Sequence, residues 1–383
     1  MNDTHTTDDA LRRTLGIDRR RFLSTCTAVA AGAIAAPVFG AAPVHAAGDA
    51  DSAEATAPGH ALVPADRRGI ILYTVRDAIG RDPLSTPLPS GFRAVFEQLA
   101  RFGYRQVEFA GYGQHANAPG GAGLESVAGA KLLRGWLDDY GLRAQGNHGF
   151  IPPSWPLTTA DVDTFKKHLE IANILGMAHM GTGGDPTSSS YKADWDVAAD
   201  KWHTLGEIAR SAGIKLYTHN HDAAYGFLLD GGPLDAQGRP TRSSGIRKLE
   251  YFLTITDPQL IWLEMDVFWA HVAQYKFRTY TAHDGSTQER IFDPAGLVER
   301  YNKRYPLFHA KDGVVNTGNG MGYDMVPFGT GVIDYTTFFS RVGHRNYHNP
   351  MVEQDNAPST TDPAQSLRHA RIGYENLAAL RRR

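Results

Sequence analysis

The sequence has almost no cysteine. Its only one, Cys26, lies within the first 46 residues, so residues 47–383 hold no disulfide and no thiolate metal ligand. It has no strong charge either. The 39 Lys+Arg against 41 Asp+Glu give a formal net charge of −2, which gives no reason to expect a nucleic-acid partner. Long apolar runs are missing too. The only candidate, Thr27 to Ala42, is Ala-rich and too short and weakly hydrophobic for a membrane span, which argues against a permanent membrane anchor.

That apolar run does suit a different purpose. It follows Asp18-Arg-Arg-Arg-Phe-Leu-Ser24, which resembles the twin-arginine export motif with Arg19 and Arg20 as the pair. Val44-His45-Ala46 then supplies small residues for cleavage. Residues 1–46 are expected to be a signal peptide read by the twin-arginine export machinery, which carries folded proteins. The product would be periplasmic or secreted. Removing the peptide, with its five Lys+Arg and four Asp+Glu, leaves 34 against 37, a charge of −3. Residues 47–68, rich in Ala, Asp, Pro and Gly and without apolar period, read as a linker.

Over all 383 residues the composition is that of a soluble globular chain, 42% hydrophobic and 21% charged, with 40 glycines for tight junctions. Strand-like and helix-like segments alternate. Strands are expected at Gly69–Val75, Tyr104–Ala110, Leu142–His148, Met177–Gly181, Ile214–His219, Leu260–Val267, Leu307–Lys311 and Pro350–Gln354. The helix after the third strand is expected to be capped by Thr159. Eight such alternations, with no second run of different character, predict an α/β fold: one single-domain (β/α)8 TIM barrel over residues 69–383. Polar stretches at Gly231–Arg242 and Ala273–Phe292 read as insertions on the side where barrels build active sites.

The C-terminal strand ends are dense in chemistry. They carry Tyr73, Glu108, His148, His219 and His221, then Glu264 and Asp266, His309 and Lys311, and Glu353 and Asp355. Within Leu263-Glu-Met-Asp-Val-Phe-Trp269 the two acids point to the same face of a strand, where burial demands a cation, a metal or hydrogen-bonding partners. Histidine and carboxylate ligands from strands five to eight (His219, Asp266, His309 and Glu353) suit one divalent ion: Mn, Co, Zn or Mg. For strand five both His219 and His221 are open as the ligand. Same-face neighbours such as His221 and Lys311 are candidates for acid/base work. Tyr73, Glu108, His148, Glu264 and Trp269 are candidate substrate contacts.

Six motifs in order, Leu72-Tyr-Thr-Val-Arg-Asp77, Gly103-Tyr-Arg-Gln-Val-Glu108, Tyr217-Thr-His-Asn-His-Asp222, Glu264-Met-Asp-Val-Phe-Trp269, His309-Ala-Lys-Asp312 and Val352-Glu-Gln-Asp355, resemble the xylose isomerase-like sugar phosphate isomerase/epimerase superfamily. The resemblance implies a metal at the barrel mouth that binds sugar oxygens and stabilises an enediolate while carboxylates or a lysine move protons. It matches Asp266, His309 and Glu353 to ligand positions, with Glu353, Lys311 and His221 as the catalytic candidates. It also implies a small-molecule sugar substrate and a tendency toward homo-oligomers. One departure is visible: relatives often place a glutamate where His219 stands. That departure makes a 3-keto-glycoside or polyol lyase (or hydratase) a competing expectation. A non-catalytic periplasmic sugar-binding barrel is another, distinguished by metal content. An abasic-DNA endonuclease conflicts with the charge, and a retaining glycosidase would leave the histidines without purpose.

Overall fold

The structure, a computed structural model, describes residues 59–343 and 348–382; the expected signal peptide lies outside the described residues. Eight parallel strands form the central sheet: β1 Gly69–Ile71, β2 Gln106–Phe109, β3 Arg143–Asn147, β4 His179–Thr182, β5 Lys215–Thr218, β6 Ile261–Asp266, β7 Leu307–Ala310 and β8 Asn349–Val352. Their order is β3-β2-β1-β8-β7-β6-β5-β4. The two ends meet just beyond β3, where His148 bridges Gly181 and the Gly149 amide donates to the Gly181 carbonyl at 2.8 Å. The sheet therefore closes into the expected barrel.

Around it run α1 Gly91–Phe102, α2 Val127–Asp139, α3 Thr159–Leu175, α4 Lys192–Ser211, α5 Lys248–Ile255, α6 Val267–Lys276, α7 Pro294–Arg300, α8 Tyr335–Val342 and α9 Gln365–Ala379. The barrel strands are buried on both faces, as parallel strands under a helical coat must be. Inside the barrel Ile71, Tyr217, Leu307 and Met351 pack together with Trp262 against them. That apolar plug lies one step nearer the strand starts than the polar ends of β5 to β8 and forms the floor of the site.

Four local expectations need correction. Strand one stops at Ile71, and Leu72–Val75 turns as a 3-10 helix that carries Tyr73 onto the rim. The run Val267-Phe-Trp does not extend β6. Asp266 ends the strand and caps α6, its Oδ1 accepting from the Trp269 amide at 3.0 Å, and Phe268 becomes core. The cap of α3 is Thr158 rather than Thr159, in a reciprocal box with Asp161. Residues 59–68 of the expected linker are tied down: Ala61 pairs with Arg381, Arg382 donates to His60, and Leu62 and Val63 are buried. Two apolar residues inside a polar stretch gave no period to read.

The expected insertions fold as hairpins. Gly231–Leu234 pairs with Pro240–Arg242, and Thr279–Thr281 with Thr287–Glu289. Asp230 joins the two through His283 at 2.8 Å. A third hairpin, Asp312–Val315 with Tyr323–Val326, follows β7.

Candidate metal and active site

Residues two apart on one strand face the same way, so β6 delivers two carboxylates to the barrel interior at different depths. Glu264 is the deeper one, buried level with the floor. Its Oε2 lies 3.0 Å from His148 Nε2, 3.1 Å from His219 Nδ1 and 3.2 Å from His309 Nε2. Glu108 of β2 is equally buried and reaches His309 Nε2 at 3.0 Å, while the Tyr217 hydroxyl donates to its other oxygen. Glu108 and Glu264 thus hold imidazoles in place, Glu264 lying two residues deeper on β6 than Asp266.

This arrangement leaves specific nitrogens facing the mouth. With Nδ1 of His219 spent on Glu264, Nε2 points toward Asp266 Oδ2, 3.8 Å away. With Nε2 of His309 spent on Glu108 and Glu264, Nδ1 lies 2.8 Å from Glu353 Oε2 and 3.9 Å from Asp266 Oδ2. Asp266, His309 and Glu353 together offer three ligand atoms close enough for one ion, and His148, His219, Glu264 and His309 form an overlapping second set. The first set suits a metal better. In the second, Glu264 already accepts from all three imidazoles, whereas Asp266 Oδ2, His309 Nδ1 and Glu353 Oε2 are buried without an aligned hydrogen bond. A carboxylate behind each histidine is the usual means of orienting a metal ligand.

Lys311 closes the mouth side. Its Nζ is 2.8 Å from Asp266 Oδ2, 2.8 Å from Glu353 Oε2 and 3.0 Å from Asp355 Oδ1. The first two are ion pairs close in distance but not aligned as hydrogen bonds, so those oxygens keep lone pairs for another cation.

Burial and charge set the protonation states. Burial favours neutral Lys311, but Asp266, Glu353 and Asp355 outweigh it and hold the ammonium above its ordinary range. Lys311 therefore keeps its proton here. Burial pushes Asp266 up to about 6 despite Lys311. Burial also opposes the charge on Glu353, yet His309 and Lys311 keep it well below the carboxylate range. His219 is held neutral, down to about 3, mainly by burial, the state a ligand needs. For His309 burial is overcome by Glu264 and Glu353, which keep it well above the histidine range.

The remaining expected residues lie farther out. His221 stands outside both ligand sets. Its amide donates to Asp185 Oδ1 at 2.8 Å, and its ring packs between His219 and Trp269. Trp269 lies 5.4 Å from Lys311 Nζ, ring centroid to nitrogen, and forms a side wall. Tyr73 sits exposed at the rim under the Arg76 guanidinium. Sequence reasoning missed Asn220, which braces β5 against β6 by bonding the Asp266 amide and carbonyl, and Asp185. Asn220 lies inside the Tyr217–Asp222 motif, where its neutral amide gives no ligand or acid/base signal, and Asp185 belongs to no motif.

A closed parallel barrel with a ring of histidines and carboxylates at its strand ends defines an α/β-barrel protein built around a polar mouth. Residues 96–372 match the model of the xylose isomerase-like TIM barrel family, and the chain belongs to that family. Solved structures share the fold. A sugar phosphate isomerase/epimerase from Parabacteroides distasonis is 22% identical, with a TM-score of 0.56 over 85% of this chain and 98% of that one. A probable 3-DHS dehydratase involved in petrobactin synthesis from Bacillus anthracis is 11% identical, with a TM-score of 0.54 over 81% and 98%. A xylose isomerase domain protein from Planctomyces limnophilus is 16% identical, with a TM-score of 0.52 over 82% and 96%. No protein of curated function matches the chain in sequence.

Proposed function

We propose that the protein is a divalent-metal-dependent enzyme of the sugar isomerase/epimerase type, moving a proton next to a carbonyl. One observation carries this reading. Three buried, unaligned ligand atoms at the C-terminal ends of β6, β7 and β8 converge beside a lysine held protonated. Asp266, His309 and Glu353, with His219 Nε2 alongside, would hold the ion. Bound there, a divalent cation supplies a Lewis acid for neighbouring substrate oxygens.

The chain's own groups supply the rest. Glu353, kept ionised, is the acceptor for a carbon-bound proton, and Lys311 is the donor to an oxygen that gains negative charge. Trp269 offers an apolar wall to a sugar face. The donor state of Lys311 also favours a second reading, elimination from a 3-keto-glycoside or polyol. There the leaving oxygen needs a proton that an isomerisation does not require. Family membership supports the sugar class, and the Asp18–Ser24 motif supports action outside the cytoplasm after twin-arginine export.

The test is elemental analysis of protein purified without chelators, alongside Asp266→Asn and Glu353→Gln. About one divalent ion per chain is expected, lost in both variants together with turnover on keto-sugars, 3-keto-glycosides or inososes. Full occupancy in both variants would show the ligand set to be wrong. Metal-free protein that still binds sugar would favour a binding module.

A further inference from the structure

Three carboxylates surround Lys311, and one of them stands apart from the other two. Asp266 and Glu353 belong to the metal set, whereas Asp355 belongs to neither ligand set. Asp355 straddles the ammonium with both oxygens, Oδ1 at 3.0 Å and Oδ2 at 3.2 Å from Nζ. The Oδ2 contact is the one aligned hydrogen bond that Nζ donates among the described residues. Asp355 is also the member of the trio that solvent reaches. Its side chain is 32% exposed, against 5% for Glu353 and 2% for Lys311.

The turn that carries Asp355 is fixed from two sides. From the segment after β1, the Thr74 hydroxyl accepts from the Gln354 amide at 3.2 Å, and Arg76 Nη2 donates to the Asp355 carbonyl at 2.9 Å. From the third hairpin, the Met325 carbonyl accepts from Asn356 Nδ2 at 3.1 Å. The Ala357 amide closes the turn on the Gln354 carbonyl at 3.2 Å. The main chain at Lys311 is held as well, its carbonyl accepting from the Tyr335 hydroxyl at 2.5 Å. What needs aiming is the flexible four-carbon stem between them. An ion on Asp266 and Glu353 takes up charge that otherwise attracts the ammonium, and it sets a like charge beside it. Asp355, outside the ligand set, keeps its hold.

We infer that Asp355 is the positioning residue for Lys311: braced by Arg76, it keeps the ammonium at the mouth when an ion occupies Asp266 and Glu353. This rests on the reading of Asp266, His309 and Glu353 as a metal set with Lys311 beside it. It extends that reading by naming the residue that directs the lysine toward a substrate. Asp355 acts through Lys311 and touches no reacting atom itself.

The test follows Lys311 by reductive methylation with formaldehyde and cyanoborohydride, read by peptide mass spectrometry on the full chain with and without Mn. Slow labelling is expected in the wild type in both states. In Asp355→Asn it should stay slow without metal, where Asp266 and Glu353 still hold the ammonium. With Mn it should become about tenfold faster, the equivalent of one lost charge-assisted hydrogen bond. Arg76→Met, which loosens the turn, should shift labelling the same way by less. On a sugar that the wild type turns over, Asp355→Asn should lower kcat about 10–100-fold with KM changed about twofold or less, and Asp355→Glu should restore part of kcat. Mn-loaded Asp355→Asn whose Lys311 labels like that of the wild type would overturn the inference, as would a raised KM with kcat unchanged. Wild type that takes up no Mn would instead bring down the metal reading beneath it. If no sugar is turned over, labelling decides alone, and if Asp355→Asn fails to fold, Arg76→Met decides.

Discussion

Glu264 Oε2 stands 3.1 Å from His219 Nδ1, behind the ring as seen from the mouth, and so decides which nitrogen His219 shows to the metal set. The carboxylate is itself buried and held well below its ordinary range; burial opposes this, and His309 with its neighbouring imidazoles overrides it. Glu264→Gln keeps the size but loses the charge and one acceptor. Metal affinity should fall about 10–100-fold, the usual cost of removing an orienting partner, with the fold retained. A competition titration against a chromophoric chelator measures it. Unchanged affinity would mean the histidines need no support from behind.

Metal affinity should also depend on pH, with a sign fixed by the protons that the ion must displace. Asp266 is raised to about 6 by burial, and His309 is raised well above the histidine range by Glu264 and Glu353 against burial. Both bind protons more tightly than their ordinary values imply, so protons compete with the metal. Affinity rises with pH, and below about 6 each further unit should weaken binding at least tenfold as Asp266 also protonates. Dissociation constants at several values between pH 5 and 8 (rough bounds set by ordinary histidine and carboxylate titration) test the sign. A flat profile would remove Asp266 and His309 from the ligand set.

Much of this organisation is legible in the sequence because barrel physics repeats. A parallel strand ending in a polar residue puts that residue at the mouth, and β6, β7 and β8 obey the rule. Depth is less legible. Glu264 and Asp266 look equivalent as a same-face pair, yet Glu264 groups with His148, His219 and His309 while Asp266 groups with His309 and Glu353, and Glu108 looks like a strand-end contact while it meets His309 inside the barrel. Distinguishing them needs the register β2, β6 and β7 adopt, such as Leu307 opposite Glu264 and His309 opposite Asp266. The helix Val267–Lys276 was hidden for another reason: its Val-Phe-Trp start has strand propensity, and the Asp266 cap overrides it.

Barrel closure offers a test independent of the site. Gly181 of β4 has no room for a side chain: a Cβ there would lie 2.2 Å from the Tyr217 carbonyl oxygen and 2.7 Å from its ring. The same residue makes the bridge to His148 that closes the sheet. Gly181→Ala should therefore push β4 from β5 and cost about 3 kcal/mol or more, the upper end of overpacking. Thermal and urea unfolding report it, and a loss under about 1 kcal/mol would show that the strands can separate cheaply.

Arg247 ties the mouth insertions to the barrel. Its fully buried guanidinium donates to the carbonyls of Tyr225, Phe277 and Arg290 and lies against the rings of Phe227 and Phe292. Phe277 and Arg290 are the two ends of the second hairpin insertion, so one side chain clasps its base. Arg247→Met leaves these buried acceptors unpaired, at about 1–3 kcal/mol each before relaxation. The variant should lose at least ~2 kcal/mol of stability, and proteolysis should begin between residues 277 and 290. Cleavage elsewhere would show that the hairpin is held by other contacts.

Lys311 and a divalent ion answer the same electrostatic demand, and this predicts that each can partly stand in for the other. Asp266, Glu353 and Asp355 converge on one ammonium; Asp266, Glu353 and Lys311 are buried and Asp355 is partly exposed. Lys311→Met removes the proton donor, so turnover should be abolished. It also leaves carboxylates facing one another without compensation, and metal-free protein should lose about 3–5 kcal/mol, the cost of breaking a buried pair. Added Mn or Zn should then raise the melting temperature of Lys311→Met more than that of the wild type, because the ion neutralises charge that no side chain any longer offsets. Equal shifts in both proteins would mean that the ion sits away from the oxygens Lys311 touches, and the Asp266, His309 and Glu353 assignment would fail with it.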